Sequence, residues 1–179
     1  MSRDIWLISD THFQHANILN FRDDKGSHFR GDLFDSVDHM DECMMDNWNS
    51  VVKPGDIVYH LGDVMFGKKE TFLPKWNKLA GRKRLVVGNH DDIKWMAKHE
   101  MFQKIMMWRM FPEFGLLLSH VPLHESSLWR GTNGYDDAQW LTNVHGHIHQ
   151  NPSPTDKHRC VCVEHINFTP INIEELRRK

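Results

Sequence analysis

The chain has no long apolar run, no surplus of charge of either sign and few cysteines. No segment approaches the roughly 20 apolar residues of a membrane-spanning helix. Met1 leads almost directly into a strand-like segment, without the basic and apolar stretches of a secretion signal. A formal charge of −2 on 179 residues gives no general attraction to nucleic acid or to anionic membrane, so neither is favoured as a partner. Cys43, Cys160 and Cys162 cannot all pair, and the Cys-x-Cys spacing suits neither a zinc knuckle nor an easy disulfide. Together these absences point to a protein of a reducing compartment, the cytoplasm. Repeats and low-complexity linkers are missing too, which leaves one domain over 1–179. A chain of this size buries roughly 70% of its unfolded surface and needs no covalent staples.

Histidine is in excess, with fourteen residues. The local patterns place strands at 3–8, 57–61, 84–87, 105–110, 114–119, 142–145 and 159–164. Helical periodicity covers Ser36 to Val52 (Val37, Met40, Met44, Trp48, Val51), with Asp35 or Ser36 as N-cap and Pro54-Gly55 as the stop. Further helices are expected from about Lys69 to Ala80, around Asp92–Glu100, and shortly after Thr169-Pro170. The charged, glycine-containing stretch 20–35 reads as a long mobile loop, and Gly131–Asp137 as another. Strand and helix alternate in the front half while the back half is mostly strand. The expected class is α/β with mixed sheets and helices outside.

Five short motifs follow apolar runs in a fixed order: Asp10-Thr11-His12, Gly62-Asp63, Gly88-Asn89-His90-Asp91, Ser119-His120 and Gly146-His147-Ile148-His149. Carboxylates and imidazoles delivered from several strand ends suit a cluster of borderline divalent metals. Asp10 and His12 are two apart, so in extended backbone both point to one side and grip one ion. Singly these motifs are weak: Gly-Asp is usually a turn, and Asp-x-His is usually structural. All five in order are much harder to assign to coincidence.

Order and content resemble the calcineurin-like metallophosphoesterase superfamily, whose hallmark runs D-x-H, G-D, G-N-H-D/E, H, G-H-x-H. The resemblance covers essentially the whole chain and is closest to small single-domain members from bacteria and phages. It implies a four-layer α/β/β/α sandwich, two mixed sheets flanked by helices, and a binuclear metal centre. By it Asp10, His12 and His149 hold one ion, Asp63 bridges with its two oxygens, and Asn89, His120 and His147 hold the other. The implied activity is hydrolysis of a small phosphate ester or nucleotide, most readily a phosphodiester, by a metal-bridging hydroxide. His90 is expected to protonate the leaving group and Asp91 to orient or tune it. Mixed N and O ligands suit two divalent transition ions, manganese first, with iron, zinc, nickel or cobalt also fitting. One position departs from the family: many members carry G-D-x-x-D, whereas here Phe66 takes the second aspartate's place.

Among the other histidines, His60 and His145 are expected in the core or behind the ligands. His15 and His124 lie near ligands and are candidates to touch substrate or support them. His28, His39, His99, His158 and His165 are expected on the surface. Trp129-Arg130 reads as a surface loop. Two other functions share the frame: a nuclease, for which Arg82-Lys83-Arg84 is the one compact basic candidate, and a non-enzymatic metal-binding scaffold, which the full set of ligand residues argues against.

Overall fold

A computed structural model describes residues 3–22, 25–130 and 140–177. Its first sheet takes β1 (Ile5–Ile8), β2 (Ile57–His60), β3 (Arg82–Val86), β4 (Lys104–Met106) and β9 (Ile171–Asn172), in the order β4-β3-β2-β1-β9. The four successive strands are parallel and β9 is antiparallel to β1. The second sheet runs β5-β6-β7-β8, from β5 (Trp108–Phe111), β6 (Leu116–Ser119), β7 (Thr142–His145) and β8 (His158–Cys160). Here β5 is antiparallel to β6, while β6, β7 and β8 are mutually parallel. The protein is α/β with two mixed sheets.

Alternation along the strands explains how the sheets meet. Leu7, Tyr59 and Val86 of the first sheet share one apolar cluster with Leu116, Leu118 and Val144 of the second. Ile8, Val58 and Leu85 point the other way. They join Met40, Met44 and Trp48 of α1 (Val37–Val51), Phe72 and Trp76 of α2 (Lys69–Trp76), and Met96 of α3 (Ile93–Lys98). Strands buried on both faces need apolar residues at consecutive positions, as Leu7-Ile8 and Leu85-Val86 supply. The far face of the second sheet is covered differently, by Leu117 against Leu128 and Leu141, with Leu128 in a short 3-10 turn. Among the described residues no helix is long and apolar enough to cross a membrane.

Most element boundaries fall within a few residues of expectation. Ser36 caps α1, its side chain accepting from the His39 amide. The second helix stops at Trp76, short of Ala80. Side chains of α1 capture the next backbone groups: Asn49 binds the Lys78 carbonyl and the Ala80 amide, and Trp48 Nε1 donates to the Ala80 carbonyl. The single strand expected at 105–110 is two strands in different sheets. Val87 N–H bonds Met106 on one side, Trp108 pairs with Ser119 on the other, and Met107 makes the crossing. Strand β8 ends at Cys160, and Val163–His165 forms a 3-10 turn leading to α4 (Ile173–Leu176).

The described residues of stretch 20–35 are largely irregular, as expected, yet they are pinned rather than loose. Arg30 is fully buried, donating to the carbonyls of Asp10 and Thr11 at 2.6 and 2.8 Å. The expected Gly131–Asp137 loop lies outside the described residues.

Candidate metal centre

All five motifs lie at the carboxyl ends of strands. Asp10 follows β1, Asp63 follows β2, Asn89 follows β3, His120 follows β6 and the Gly146 motif follows β7. The parallel arrangement in both sheets therefore delivers every motif to one end of the molecule, where α/β proteins build their sites. Ser9 stitches the sheets together there, its amide donating to the Val161 carbonyl and its carbonyl accepting from Val163 N–H.

Backbone at this end is not extended. Asp10, His12, Asp63, His147 and His149 all have positive φ, between 47° and 72°. The expectation that Asp10 and His12 share a side because the strand continues is therefore wrong in its reason. They share it with both residues in left-handed backbone. Gly62, at φ +98°, and the neighbouring Gly88 allow the second and third motifs to touch. A Cβ on Gly88 would land on the Asp63 amide and carboxylate. A Cβ on Gly146 would likewise collide with Ser9 Oγ and Asp10 Oδ2. These glycines serve close approach.

The side chains converge. His12 Nε2 lies 3.8 Å from both Asp10 Oδ1 and Asp63 Oδ2. His149 Nε2 is 4.0 Å from Asp10 Oδ1, and His120 Nε2 is 3.7 Å from Asp63 Oδ2. Asn89 Oδ1 lies between two imidazoles, 2.8 Å from His120 Nε2 and 3.0 Å from His147 Nδ1. Asp10, His12 and His149 form one three-donor group; Asp10, Asp63 and His120 form a second. The exposed His147 meets them through Asn89, through its ring edge-on to His120 at 5.1 Å, and through its amide, which donates to Asp10 Oδ2.

Asp63 departs in detail from the role expected of it. Only Oδ2 faces His12 and His120; Oδ1 accepts from the His90 amide at 3.0 Å. Asp91 is also corrected. Its carboxylate accepts from the amides of Asp63, Val64 and Gly88, so both oxygens are committed to backbone. Burial raises its pKa against those hydrogen bonds. Asp91 holds the second and third motifs together and does not address the His90 ring. His90 itself is exposed, its ring 4.8 Å from Phe66 and 6.1 Å from His12. Phe66, standing where many family members have aspartate, also stacks on His15 at 4.3 Å.

Polar groups behind the donors fix which atoms they present. His120 Nδ1 donates to the Leu61 carbonyl at 2.7 Å, which makes Nε2 the ring nitrogen that faces the site, beside Asn89 and Asp63. His149 Nδ1 donates to Glu164 Oε1 at 3.1 Å, with the same consequence for its Nε2. Glu164 in turn takes the Arg30 guanidinium at 2.8 Å. Such carboxylate–imidazole pairs orient metal ligands and raise their basicity. Burial opposes ionisation of Glu164, but Arg30 and His149 prevail and lower its pKa to about 2. Asp10 is fully buried, which opposes its charge too. His12, His120, His149 and Ser9 outweigh that and hold it well below the usual carboxylate range. Burial lowers the His12 pKa in spite of Asp10.

These residues fit a cation. Asp10 Oδ1 and His12 Nε2 are buried with no hydrogen-bond partner, an expensive condition that a metal ion relieves. Every donor is oxygen or imidazole nitrogen. The nearest thiol, Cys162, instead bonds Asp10 Oδ2 at 3.3 Å.

Sequence reasoning missed Arg30, Glu164 and Ser9. Arg30 and Glu164 are 134 positions apart with no motif linking them. Of the other histidines, His60 and His145 are buried as expected, His60 at 2.9 Å from Thr11 Oγ1. His158 is buried, not surface, because Leu123 O and Thr155 Oγ1 satisfy its ring. His124 caps its own 3-10 turn through Ser126 and is not near the centre.

No family model matches the chain. It is 32% identical to the Uncharacterized protein MJ1445 of Methanocaldococcus jannaschii, across 96% of this chain and 88% of that one. The chain belongs to the family of that protein. Gene 66 protein of Mycobacterium phage L5 is similar too, at 30% identity over 80% of this chain and 76% of that protein. In three dimensions the chain resembles the crystal structure of the Protein of Unknown Function AQ665 from Aquifex aeolicus. The TM-score is 0.71 at 29% identity, with 98% of each chain covered. The family thus spans archaeal and phage proteins, and the names of these relatives assign no activity.

Proposed function

We propose that this protein is a phosphoesterase of the calcineurin-like superfamily, dependent on two divalent transition metal ions and acting on a small phosphodiester or nucleotide. The observation that carries the reading is the convergence of Asp10, His12, Asp63, His120 and His149 at the strand ends, with two of their buried atoms lacking any partner. Two packed sheets with α1, α2 and α3 on one outer face are compatible with the four-layer sandwich of that superfamily. Asp10, His12 and His149 would hold one ion and Asn89, His120 and His147 the other, with Asp63 contributing to both. Manganese suits these hard and borderline donors, as do iron, zinc, nickel and cobalt.

When bound, two divalent ions supply Lewis acidity and lower the pKa of water for attack on phosphorus. The residues of the chain do the rest. Asp10 and Asp63 cancel only two of the four positive charges, which leaves the site attractive to a phosphate ester. His90 stands exposed at the rim, beside His12 but outside the cluster, where its imidazole can donate a proton to a leaving oxygen. Arg30 and Glu164 keep His149 facing inward. The cytoplasm, where manganese is available and thiols stay reduced, is the compartment this reading favours.

A nuclease is less well supported. Arg82-Lys83-Arg84 is not a free basic patch but strand β3: Lys83 lies over the Trp76 ring and Arg84 donates to Tyr59 OH. Burial pushes the Lys83 pKa down to about 8. The deciding experiment is hydrolysis of bis-p-nitrophenyl phosphate beside p-nitrophenyl phosphate by metal-stripped protein, with and without manganese. Manganese-dependent turnover that His90→Ala weakens is expected. No turnover of either ester with manganese, nickel or zinc would overturn the reading.

A further inference from the structure

Beside the candidate centre lies a cleft of about 340 Å³, within the size range of sites for small organic ligands. One wall is Gly88, Asn89 and His120, which belong to the motifs just described; the other is Met107, Trp108, Val121 and Leu123. Met107 and Trp108 leave 69% and 68% of their surface in solvent, and Val121 leaves 41%. Such exposure of large apolar side chains around one opening marks a binding surface, not a packing remainder. It also arises from the crossing between sheets, since Met107 carries the chain from β4 to Trp108, the first residue of β5.

Most polar groups on the walls already have partners within the protein. Ser119 Oγ donates to the Val121 carbonyl at 2.7 Å and accepts from Asn143 at 2.9 Å. Both ring nitrogens of His120 are engaged, by Leu61 O and Asn89 Oδ1, and Asn89 Oδ1 is shared with His147. A ligand here meets an indole face, a thioether and aliphatic carbon, and finds few hydrogen-bonding groups to match its edge. Flat aromatic groups gain most from such walls.

We propose that this cleft binds the aromatic ester group of the substrate by its face, while the phosphoryl group sits at the centre next to Asn89 and His120. The inference rests on the phosphoesterase reading, because continuity with those two residues is what selects the substrate's own organic group as the occupant. Specificity would follow the presence of an aromatic ring, with little discrimination of what decorates its rim.

Two phosphonates separate this idea from the reading beneath it. Methylphosphonate reports on the centre alone; phenylphosphonate adds the ring. By calorimetry on the manganese-loaded protein, phenylphosphonate is expected to bind about ten-fold or more tightly than methylphosphonate, the scale of one buried apolar group. Trp108→Ala, at a mostly exposed position, should remove that preference and leave methylphosphonate affinity unchanged; Val121→Glu should do the same by charging the mouth. Equal binding of both phosphonates would overturn the cleft and leave the centre standing. Binding of phenylphosphonate that needs Trp108 but not manganese would keep the cleft and overturn the metal-dependent reading. Binding of neither overturns both. If Trp108→Ala instead converts a dimer to a monomer in sedimentation with the preference intact, the cleft is a contact between copies and the proposal fails.

Discussion

Replacing Glu164 with glutamine tests the support behind the candidate centre. The carboxylate is 6% exposed and meets two cationic or proton-donating partners: Arg30, fully buried, and His149 Nδ1. Removing one member of a buried ion pair costs about 3–5 kcal/mol, because the other charge stays buried without compensation. Glutamine keeps an acceptor for one hydrogen bond, so the low end is expected. The carboxyl's own titration gives a similar figure: its pKa falls from 4.5 to about 2 on folding, roughly 3 kcal/mol of stabilisation. Since the folded pKa lies below the unfolded one, this contribution is complete above about pH 4.5 and is lost as pH falls toward 2. Urea unfolding of metal-stripped protein at pH 7 should therefore show Glu164→Gln about 3 kcal/mol less stable. The gap should close progressively below pH 4.5. Manganese affinity, measured by calorimetry, should fall 10- to 100-fold, the usual effect of losing a carboxylate behind a ligating histidine. Stability within about 0.5 kcal/mol of the parent, together with unchanged manganese affinity, would refute the role given to this relay.

Manganese at a hundred times its Kd should stabilise the stripped protein by about 2.7 kcal/mol, read by calorimetry as a rise in Tm of roughly 5–10 °C; no rise would count against a metal centre. His90→Ala and Asp91→Asn should separate chemistry from scaffolding. The first is expected to leave urea stability within about 0.5 kcal/mol while lowering turnover of the diester by roughly 10²-fold or more. The second, which disturbs three backbone hydrogen bonds, should cost about 2–3 kcal/mol of stability. Gly146→Ala forces a methyl group against Ser9 and Asp10, and metal content by mass spectrometry should fall while Gly55→Ala, at an open position, leaves it unchanged.

Much of the site was legible because the motif residues report local chemistry. A carboxylate or imidazole just after an apolar run lands at a strand end, and parallel strands collect their carboxyl ends on one side. What could not be read was long-range or conformational. Nothing near Arg30 in sequence distinguishes it from Arg22, yet one is fully buried against Asp10 and Thr11 and the other is exposed. Asp91 looked like a partner for His90 because they are adjacent, whereas the turn at Gly88 aims its carboxylate back at three amides. The apolar run at 105–110 carries no mark that one strand becomes two, because Met107 suits either sheet and the division depends on partners far along the chain.

Left-handed backbone at five candidate ligand residues has an energetic consequence. Residues other than glycine held there cost on the order of 1–3 kcal/mol each. Asp10, His12, Asp63, His147 and His149 together then represent a penalty comparable to the whole net stability of a typical domain, about 5–15 kcal/mol. Folding must offset it locally, and the surrounding hydrogen bonds indicate how. The amides of Asp10 and His12 donate to the carbonyls of Gly62 and Asp63, Arg30 holds the Asp10 and Thr11 carbonyls, and Asp91 holds the Asp63 amide. The turns at Asp10 and His12 are thus tied to the turn at Asp63, so these three cannot relax independently. A cluster built this way is rigid before any ligand arrives, and its unpaired lone pairs cannot turn outward to water. That preorganisation is what a cation-binding centre requires, and it accounts for buried donors that folding alone would disfavour.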